Sequence, residues 1–501
     1  MEKIALYELG TSNIRLTIAA VKEGEYFCPL KQYVEFIGIA DAIGGDELVK
    51  SAKIRECVSI LQILKKIADA AGAVKTIAYA SENLSRIKNY QTLVEEAGNA
   101  IGDVSFTMLT RESEVSAIYT ATTNTLDAQR GVILNISSCS TRIVHYNRRI
   151  VLDSVTIPVG TGNIMTGVDF ADLLSKDAQF LSGVDSETIL VGIGESVSAF
   201  GRLARKILKY PVEIEHNFTT NSDSFKKVHE FLSTLEPEKR AKLKGISDIS
   251  VSEIVAGLNI VKSILDFSKL KSIVVATSSR STGLLLQYAM PTTLERPVPD
   301  LLGYSLSTLI ECIGLERKNC EQTYALALVL FKQLKVLHKM PRGYAKVLRA
   351  ASYVHELGKK LNPTSAQSYN YNLVMGLPLL GLTHKEIILT SFVASVKRWE
   401  DFNLAEWVRY KEIMTEDDLD AVRRMSNILS IASALNVRNQ HIVKDISCDI
   451  LGDSVILKLI TELDQKQAQN VDPLAASLEI FYAKKYAGEF SRAFKKSLEI
   501  L

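Results

Sequence analysis

The chain has 501 residues, of which 47% are hydrophobic and 23% are charged, a composition typical of a folded globular protein with more than one domain. Its 59 basic and 57 acidic residues give a net charge of +2, so we expect neither a nucleic-acid-binding nor a membrane-binding protein. The sequence contains no apolar run of about eighteen residues and no signal-peptide pattern at its start, and we therefore expect a cytoplasmic location.

The first two apolar runs predict a β-hairpin with a small, polar turn. Lys3 to Leu9 and Ile14 to Val21 are strand-like, and Gly10-Thr11-Ser12-Asn13 joins them. The sequence then alternates between predicted strands and helices: strands at Glu35 to Ile39, Thr76 to Ala80 and Val104 to Leu109, and helices at Glu47 to Gly72, Leu84 to Gly98 and Glu112 to Asn124. We assign residues 1–127 to a first α/β domain.

The stretch from Val132 to Tyr146 predicts a second hairpin of the same design. Its turn contains Ser137, Ser138, Cys139 and Ser140, small residues that allow backbone N–H groups to point at a phosphate. An ordinary hairpin with a serine-rich turn is the alternative interpretation. Two such hairpins in one chain favour a duplicated pair of domains whose turns face each other across a cleft.

The second predicted domain covers residues 128–295. Further strands are predicted at Val151 to Ile157, Thr188 to Gly192 and Ser272 to Ala276, and helices at Val197 to Leu208 and Val251 to Leu265. Pro291, Pro297 and Pro299 lie close together and indicate a linker.

Beyond the linker, the sequence predicts a helical domain at residues 296–440 and a small α+β cap at 441–501. Apolar residues recur at helical spacing in Cys320 to Leu337, Ala345 to Leu357, Lys385 to Lys397 and Leu419 to Leu435. In the cap we predict two strands around the turn Leu451-Gly452-Asp453-Ser454, a strand at Ala476 to Ala483 and a helix at Glu489 to Glu499.

The order of these elements and residues resembles the exopolyphosphatase and guanosine-pentaphosphate phosphatase (Ppx/GppA) family over almost the whole chain. The family opens with Asp-Leu-Gly-Ser-Asn-Ser-x-Arg-Leu, and this chain has Glu8-Leu9-Gly10-Thr11-Ser12-Asn13-Ile14-Arg15-Leu16. A family segment Ser-Gly-x-Glu-Glu-Ala corresponds to Thr110-Arg111-Glu112-Ser113-Glu114-Val115. The second family loop, Asp-Ile-Gly-Gly-Gly-Ser-Thr-Glu, corresponds to Asn135-Ile136-Ser137-Ser138-Cys139-Ser140-Thr141-Arg142.

The resemblance implies two actin-like ATPase (ribonuclease H-like) domains followed by an HD-like helical domain, in a homodimer. It also implies hydrolysis of polyphosphate or guanosine pentaphosphate with Mg²⁺, Glu114 as the catalytic residue, and metal ligands at Glu8 and Asn135. The residues that would bind phosphate by this resemblance are Gly10, Thr11, Ser12, Asn13, Arg15, Ser137, Ser138, Ser140, Thr141 and Arg142.

The second loop departs from the family pattern in charge and in backbone freedom. Asn135 is neutral where the family has an aspartate, and because hard cations prefer carboxylates, we expect weakened Mg²⁺ binding. Arg142 replaces a glutamate, and Ser137, Ser138 and Cys139 replace three glycines. Since these residues have poor access to positive φ, we expect a loop that wraps a phosphate less well.

Two interpretations of this charge change remain open. Arg15, Arg142 and Arg111 could bind an anionic ligand directly in place of a metal. Alternatively, the loop has drifted after activity was lost, with Arg142 solvated at the rim of the cleft. The corresponding functions are a phosphoanhydride hydrolase with weakened or lost activity, and a catalytically silent sensor or scaffold that binds a phosphorylated nucleotide or a protein partner.

The helical domain departs from the family as well. A metal-binding HD site requires two histidines and two aspartates, but the matching positions hold Asn319, His355-Glu356 and Ser433. We therefore expect no metal there and a structural role for His355.

Overall fold

The computed structural model describes residues 1–39, 47–147, 150–162, 164, 169–240, 242–243, 251–291, 298–364, 366–461 and 476–501. The chain forms two compact units, Met1–Pro299 and Asp300–Leu501. Residues 292–297 of the expected linker lie outside the described residues. The finer division into four domains stays a prediction.

Two mixed sheets form the framework of the first unit. The first sheet contains β1 (Glu2–Leu9), β2 (Asn13–Lys22), β3 (Tyr26–Phe36), β4 (Lys75–Ala80) and β5 (Thr107–Met108), in the order β3-β2-β1-β4-β5. The second contains β6 (Arg130–Ile136), β7 (Thr141–Asn147), β8 (Ile150–Ile157), β9 (Ile189–Ile193), β10 (Phe218–Asn221) and β11 (Ser272–Val275), in the order β10-β11-β9-β6-β7-β8.

The two sheets share one connectivity. In each, the first three strands form an antiparallel meander, the fourth strand (β4 or β9) pairs in parallel with the first strand of that meander, and a further strand (β5 or β11) pairs in parallel with the fourth. The chain therefore uses the same arrangement twice, as the two predicted hairpins indicated. Because the carboxyl ends of β1 and β6 both lead into hairpin turns, equivalent loops lie at equivalent edges of the two sheets.

The third strand differs from its prediction. The sequence predicted a strand at Glu35 to Ile39, whereas β3 begins nine residues earlier, at Tyr26, and ends at Phe36. It is an edge strand, and most of its side chains between Pro29 and Phe36 are exposed or only half-buried. An edge strand of this kind carries little of the apolar alternation by which a strand is predicted.

Helices cover the sheets of the first unit: α1 (Ser51–Ala70), α2 (Tyr90–Ala100), α3 (Arg111–Thr123), α4 (Phe170–Asp177), α5 (Glu195–Ile207), α6 (Ser222–Thr234), α7 (Pro237–Arg240), α8 (Val251–Ser268) and α9 (Arg280–Ala289). Helix α9 packs closely on α3, since a Cβ atom at Gly283 would lie 1.8 Å from the carbonyl oxygen of Ala117. Only glycine permits this approach, and it brings the start of α9 beside the first sheet.

The second unit is mainly helical. Its helices are α10 (Leu301–Ile313), α11 (Arg317–Gln333), α12 (Lys335–His338), α13 (Tyr344–Val354), α14 (Ala366–Met375), α15 (His384–Ser395), α16 (Leu404–Val408) and α17 (Glu416–Ala434). The four predicted helical segments coincide with α11 and α12, α13, α15 and α17. Helices α10, α14 and α16 were not predicted.

The C-terminal residues form a three-stranded sheet and two short helices. The predicted turn at Leu451 to Ser454 joins β12 (Val443–Leu451) and β13 (Ser454–Thr461), and β14 (Ser497–Ile500) pairs in parallel with β13. The strand predicted at Ala476 to Ala483 is instead a helix, α18 (Ser477–Lys484), and α19 (Ala487–Phe494) follows it.

Two wrong predictions in this segment have local causes. The segment was predicted as a strand, but the buried side chains of α18 are Glu479 and Ala483, four positions apart on one helix face. Glu479 is buried against Arg438, whose Nε lies 2.7 Å from Glu479 Oε1. The last helix ends at Phe494 rather than at Glu499, because Lys495 takes a left-handed conformation with φ of 58°.

No helix among the described residues is long and apolar enough to cross a membrane.

Candidate functional site

The first loop turns between β1 and β2 and is closed by its own backbone. Gly10 N donates to Asn13 O at 2.9 Å. Just before the turn, Glu8 lies opposite Arg15 across the antiparallel pair. Glu8 is 3% exposed, so its carboxylate must find partners within the protein.

The second loop, between β6 and β7, is a tight turn whose backbone is also held by hydrogen bonds from residues outside the loop. Ser137 N donates to Ser140 O at 2.9 Å, and Thr161 N and Gly162 N donate to the carbonyl oxygens of Ser137 and Ser138 at 3.0 and 2.9 Å. A Cβ atom at Gly160 would lie 2.0 Å from Ser137 O, so this support requires glycine there. The turn forms without positive φ at Ser137, Ser138 or Cys139.

This geometry fixes where the loop amides point. In a trans peptide, the C=O and N–H groups point in opposite directions. Because the carbonyl groups of Ser137 and Ser138 point at the 160–162 turn, the N–H groups of Ser138 and Cys139 point away from it. Two adjacent donors of this kind can bind an anion, although the glycines of the family loop are absent.

The two loops contact each other. Ser12 Oγ and Ser138 Oγ are hydrogen-bonded, and Thr11 Oγ1 lies 3.5 Å from Ser138 Oγ and 3.6 Å from Cys139 Sγ. The structure thus brings the two predicted loops together.

Glu114 lies in the first turn of α3 and is fully buried. Its Oε1 accepts from Ser81 Oγ at 2.9 Å and from Arg280 Nη1 at 2.8 Å, and its Oε2 forms an ion pair with Arg142 Nη2. Both carboxylate oxygens are therefore in contact with guanidinium groups.

Arg280 is the residue that sequence reasoning missed. It is the first residue of α9, and its Nε also donates to Glu8 Oε1 at 2.9 Å, so one guanidinium group bridges Glu8 and Glu114. The neighbouring Ser281 hydroxyl donates to the other oxygen of Glu8. A signal was present in the sequence: Thr277-Ser278-Ser279 is a third segment of small, polar residues that follows a predicted strand.

The charges around Glu8 keep its carboxylate ionised. Burial alone would raise the pKa of Glu8, but Arg280, Arg15 and the hydrogen bond from Ser281 together hold that pKa below its ordinary value. The ion pair is therefore fully formed at neutral pH.

Arg142 is buried at the centre of the site, not solvated at its rim. It is 3% exposed, and its Nη1 donates to Ser140 Oγ at 3.0 Å, which also accepts from Asn83 Nδ2 at 3.2 Å. Burial and then the charge of Arg280 lower the pKa of Arg142 to about 10, so it remains charged at neutral pH. Of the two interpretations that the sequence left open, the one with Arg142 solvated at the rim was wrong.

The cavity beside these residues has a volume of about 400 Å³. Of the predicted phosphate-binding residues, eight line it: Gly10, Thr11, Ser12, Asn13, Arg15, Ser137, Ser138 and Arg142. Ser140 and Thr141 do not line it. Their hydroxyl groups lie in internal hydrogen bonds, that of Thr141 donating to Val159 O at 2.7 Å. Arg111 does not line it either and is an exposed partner of Glu82.

Arg15 differs from the other two arginines of the site. Its Nη1 donates to Ser281 Oγ at 3.3 Å, and among the described residues it forms no ion pair. Arg15, Arg142 and Arg280 together face two carboxylates, which leaves one positive charge in excess beside the cavity.

The expected metal ligands do not fit Mg²⁺. Asn135 lines the cavity but is neutral, and both oxygens of Glu8 are held by Arg280 and Ser281. Among the residues that the structure describes, no group of three His, Cys, Asp or Glu side chains is placed to hold a metal ion.

In the second unit, His355 is held by hydrogen bonds at both ring nitrogens. Nδ1 lies 2.9 Å from Ser352 O, and Nε2 lies 3.1 Å from Ser433 Oγ. Two of the positions that correspond to ligands of an HD metal site are therefore in contact, but they hold His355 and Ser433 and not a histidine and an aspartate.

The sequence and the fold of this chain are similar to those of known proteins. The model of the Ppx/GppA phosphatase family matches residues 17–289. The Ppx/GppA family member from Aquifex aeolicus is 21% identical, with a TM-score of 0.50, and the match covers 58% of this chain and 99% of that chain. An exopolyphosphatase from Cytophaga hutchinsonii is 13% identical, with a TM-score of 0.52, over 57% of this chain and 97% of that chain.

No curated protein matches the sequence. The two structural matches show the fold of the first unit, an actin-like ATPase-type arrangement, and the family model covers more than half of the chain. The chain belongs to the Ppx/GppA phosphatase family.

Proposed function

We propose that this protein is a non-hydrolysing member of its family that binds a small phosphorylated ligand in the cleft without a divalent cation. The observation that carries this proposal is the bridge from Arg280 to both Glu8 and Glu114. The guanidinium group of Arg280 is hydrogen-bonded to both carboxylates. The family resemblance assigns Glu8 to metal binding and Glu114 to activation of the attacking water.

The bridge disfavours hydrolysis for two reasons. A general base must offer a lone pair to the water it activates, but Arg142 and Arg280 contact both oxygens of Glu114. These contacts also stabilise the ionised carboxylate, which makes it a weaker base. In addition, Arg280 and Ser281 occupy both oxygens of Glu8, so Glu8 is not available to hold a metal ion that would offset the charge developing on the phosphoryl group.

The same site retains features suited to an anion. Arg15 lines the cavity without an ion-pair partner among the described residues, and the N–H groups of Ser138 and Cys139 point away from their supporting turn. The excess positive charge supports the binding of one phosphoryl group. A charge-assisted hydrogen bond from arginine contributes about 1.5 to 3 kcal/mol.

Two assays test the proposal. Phosphate release from polyphosphate and guanosine pentaphosphate should stay at background with Mg²⁺ or Mn²⁺. Calorimetry in EDTA should detect binding of inorganic triphosphate or guanosine tetraphosphate. Arg15→Gln should weaken this binding by about 10- to 100-fold, whereas the matched surface variant Arg130→Gln, which removes an exposed ion pair to Asp185, should not. Metal-dependent turnover that Glu114→Gln abolishes would instead identify a hydrolase.

The resemblance also supports a cytoplasmic homodimer whose second unit is HD-like without a metal. Sedimentation velocity and metal analysis of the purified protein test the assembly and the metal content.

A further inference from the structure

The cavity has an exposed aromatic side chain in its lining, that of Phe36 at the end of β3. Phe36 is 53% exposed, and no other aromatic residue among those that the structure describes lines the cavity. The remaining apolar side chains of the lining are at least nine-tenths buried: Ile118, Ile136, Ile193 and Ala276. Because ligand sites combine an apolar contact surface with a few polar groups, Phe36 is the apolar surface that this cavity offers to a ligand.

The strand register places Phe36 beside two polar side chains of β2. Asn13 lies directly opposite Phe36 in the antiparallel pair, and Arg15 lies opposite Val34. Residues that lie directly opposite each other share a face of the sheet, and diagonal neighbours are about 7 to 8 Å apart. Phe36, Asn13 and Arg15 therefore share one face, whereas Ile14 faces the other way and is fully buried.

Backbone hydrogen bonds hold the end of β3 against the first loop. The N–H groups of Ile37 and Gly38 both donate to Ser12 O, at 2.8 and 3.1 Å. The position of the neighbouring Phe36 relative to the loop is therefore fixed by main-chain contacts.

The side chains of Phe36 and Asn13 are not engaged with other parts of the protein. Within the described ranges, the ring of Phe36 has no ring–ring or cation–π contact, and the carboxamide of Asn13 has no hydrogen bond. A carboxamide offers two N–H donors and one acceptor oxygen. The cavity thus presents an aromatic face next to a group that both donates and accepts hydrogen bonds.

We infer that the cavity takes the phosphate ester of a planar nitrogen heterocycle, whose ring stacks on Phe36 and whose edge forms hydrogen bonds with Asn13. This inference rests on the proposed function, since it takes the phosphoryl group to lie at Arg15 and the second loop. A flat π-system can stack on the aromatic ring, and the donors and acceptors at the edge of a heterocycle match a carboxamide. Linear polyphosphate has no group that fits this surface. Nucleotides and pyridoxine-type phosphates share the required chemistry.

Calorimetry in EDTA with matched probes tests the ring contact and separates these two sources. Guanosine monophosphate and ribose 5-phosphate differ in the base, and pyridoxine 5′-phosphate and ethyl phosphate differ in the ring. We expect at least one pair to show about a tenfold preference for the member that carries the ring. The pair with the larger preference identifies the source as a nucleotide or as a pyridoxine-type phosphate.

Substitutions at the two ring-binding positions should change this preference and not the binding of the anion. Phe36→Ala should reduce the preference to near unity, Phe36→Trp should retain it, and Asn13→Ala should lower it about fivefold. Inorganic triphosphate, which has no ring, should bind the unaltered protein and the two Phe36 variants equally. Phe231→Ala is the matched control, because Phe231 is 40% exposed on α6 and does not line the cavity.

The inference is overturned if neither pair shows a preference, if a preference persists in Phe36→Ala, or if Phe231→Ala lowers it equally. If inorganic triphosphate binds but no pair discriminates, only the ring contact is wrong. If no probe binds the unaltered protein, inorganic triphosphate included, the proposed function fails and this inference fails with it.

Discussion

Arg280 donates a hydrogen bond to Glu114 at 2.8 Å, although 166 positions separate the two residues in the chain. The contact exists because Gly283 lets α9 lie against α3, which places the first turn of one helix beside the first turn of the other. A position that the resemblance assigns to catalysis is thereby part of an internal ion-pair cluster.

Removal of Arg280 should destabilise the first unit. Arg280→Ala leaves the buried carboxylate of Glu8 without its ion-pair partner and Glu114 with one partner fewer, and breaking a buried pair costs about 3 to 5 kcal/mol. Urea denaturation followed by circular dichroism measures the loss. In a Glu8→Gln, Glu114→Gln background the same substitution should cost much less. Equal losses in the two backgrounds would show that Arg280 acts through packing and not through charge.

The sequence was informative about the framework of the site and uninformative about its internal pairing. The two hairpins were predicted because apolar runs flank small, polar turns, a pattern that lies within a few adjacent residues. Glu114 was located by resemblance. Arg280 was missed because its partners lie in β1 and α3, far from it in the sequence. A local sequence pattern does not predict which distant side chains contact the first turn of a helix.

The same limit explains the error about Arg142. The sequence shows only that Arg142 replaces a glutamate of the family pattern. This replacement is equally compatible with a solvated and with a buried arginine. Its surroundings include Ser140 in the turn between β6 and β7, Asn83 in the segment that follows β4, and Glu114 in α3, three parts of the chain that are distant in sequence. Only tertiary structure decides between these interpretations.

The stabilisation from Glu8 should depend on pH in the acid range only. Its folded-state pKa lies below the ordinary value of 4.5, so the unfolded chain binds the proton more readily. The contribution is therefore complete above the ordinary pKa and is lost as the pH falls through the folded-state pKa. The difference in melting temperature between the unaltered protein and Glu8→Gln should be constant from about pH 6 to 8 and should shrink below about pH 4.5. A difference that shrinks toward alkaline pH would contradict this assignment.

Gly283→Ala should disturb the site from a distance. The added Cβ would lie 1.8 Å from Ala117 O, a backbone atom that cannot turn aside, so α9 must move away from α3. Overpacking of this kind costs about 1 to 3 kcal/mol. Thermal denaturation compares this variant with Gly183→Ala, where a Cβ atom meets nothing within 4 Å. A melting temperature equal to that of the control would mean that the helices do not approach so closely.

The first unit should fold alone. Met1–Pro299 forms a compact unit, and each of its two sheets has a hydrophobic core of its own, around Leu61 and Leu93 in one and Phe200 and Phe225 in the other. A fragment of residues 1–299 should therefore unfold cooperatively and resist limited proteolysis. Scattered cleavage of this fragment under native conditions would argue against an independent unit.

Restoring the family residues in the second loop should not by itself restore hydrolysis. The loop variant carries Asn135→Asp, Arg142→Glu and glycine substitutions at Ser137, Ser138 and Cys139. Arg280 would still bridge Glu8 and Glu114, and Arg142→Glu would place a further carboxylate beside Glu114, which is fully buried. We expect a less stable protein with background phosphate release.

Adding Arg280→Ala to that loop variant removes the bridge and leaves four carboxylates, at positions 8, 114, 135 and 142, for a metal ion and an attacking water. Repulsion among these carboxylates is relieved when Mg²⁺ binds, so melting temperature should rise on addition of Mg²⁺. Because an arrangement that stabilises transition-state charge contributes about 3 to 4 kcal/mol, Mg²⁺-dependent phosphate release should exceed that of the loop variant by about a hundredfold or more. Glu114→Gln in the combined variant should abolish the gain. If the loop variant already matches the combined variant, Arg280 does not block the site, and the loss of activity must be sought in the loop alone.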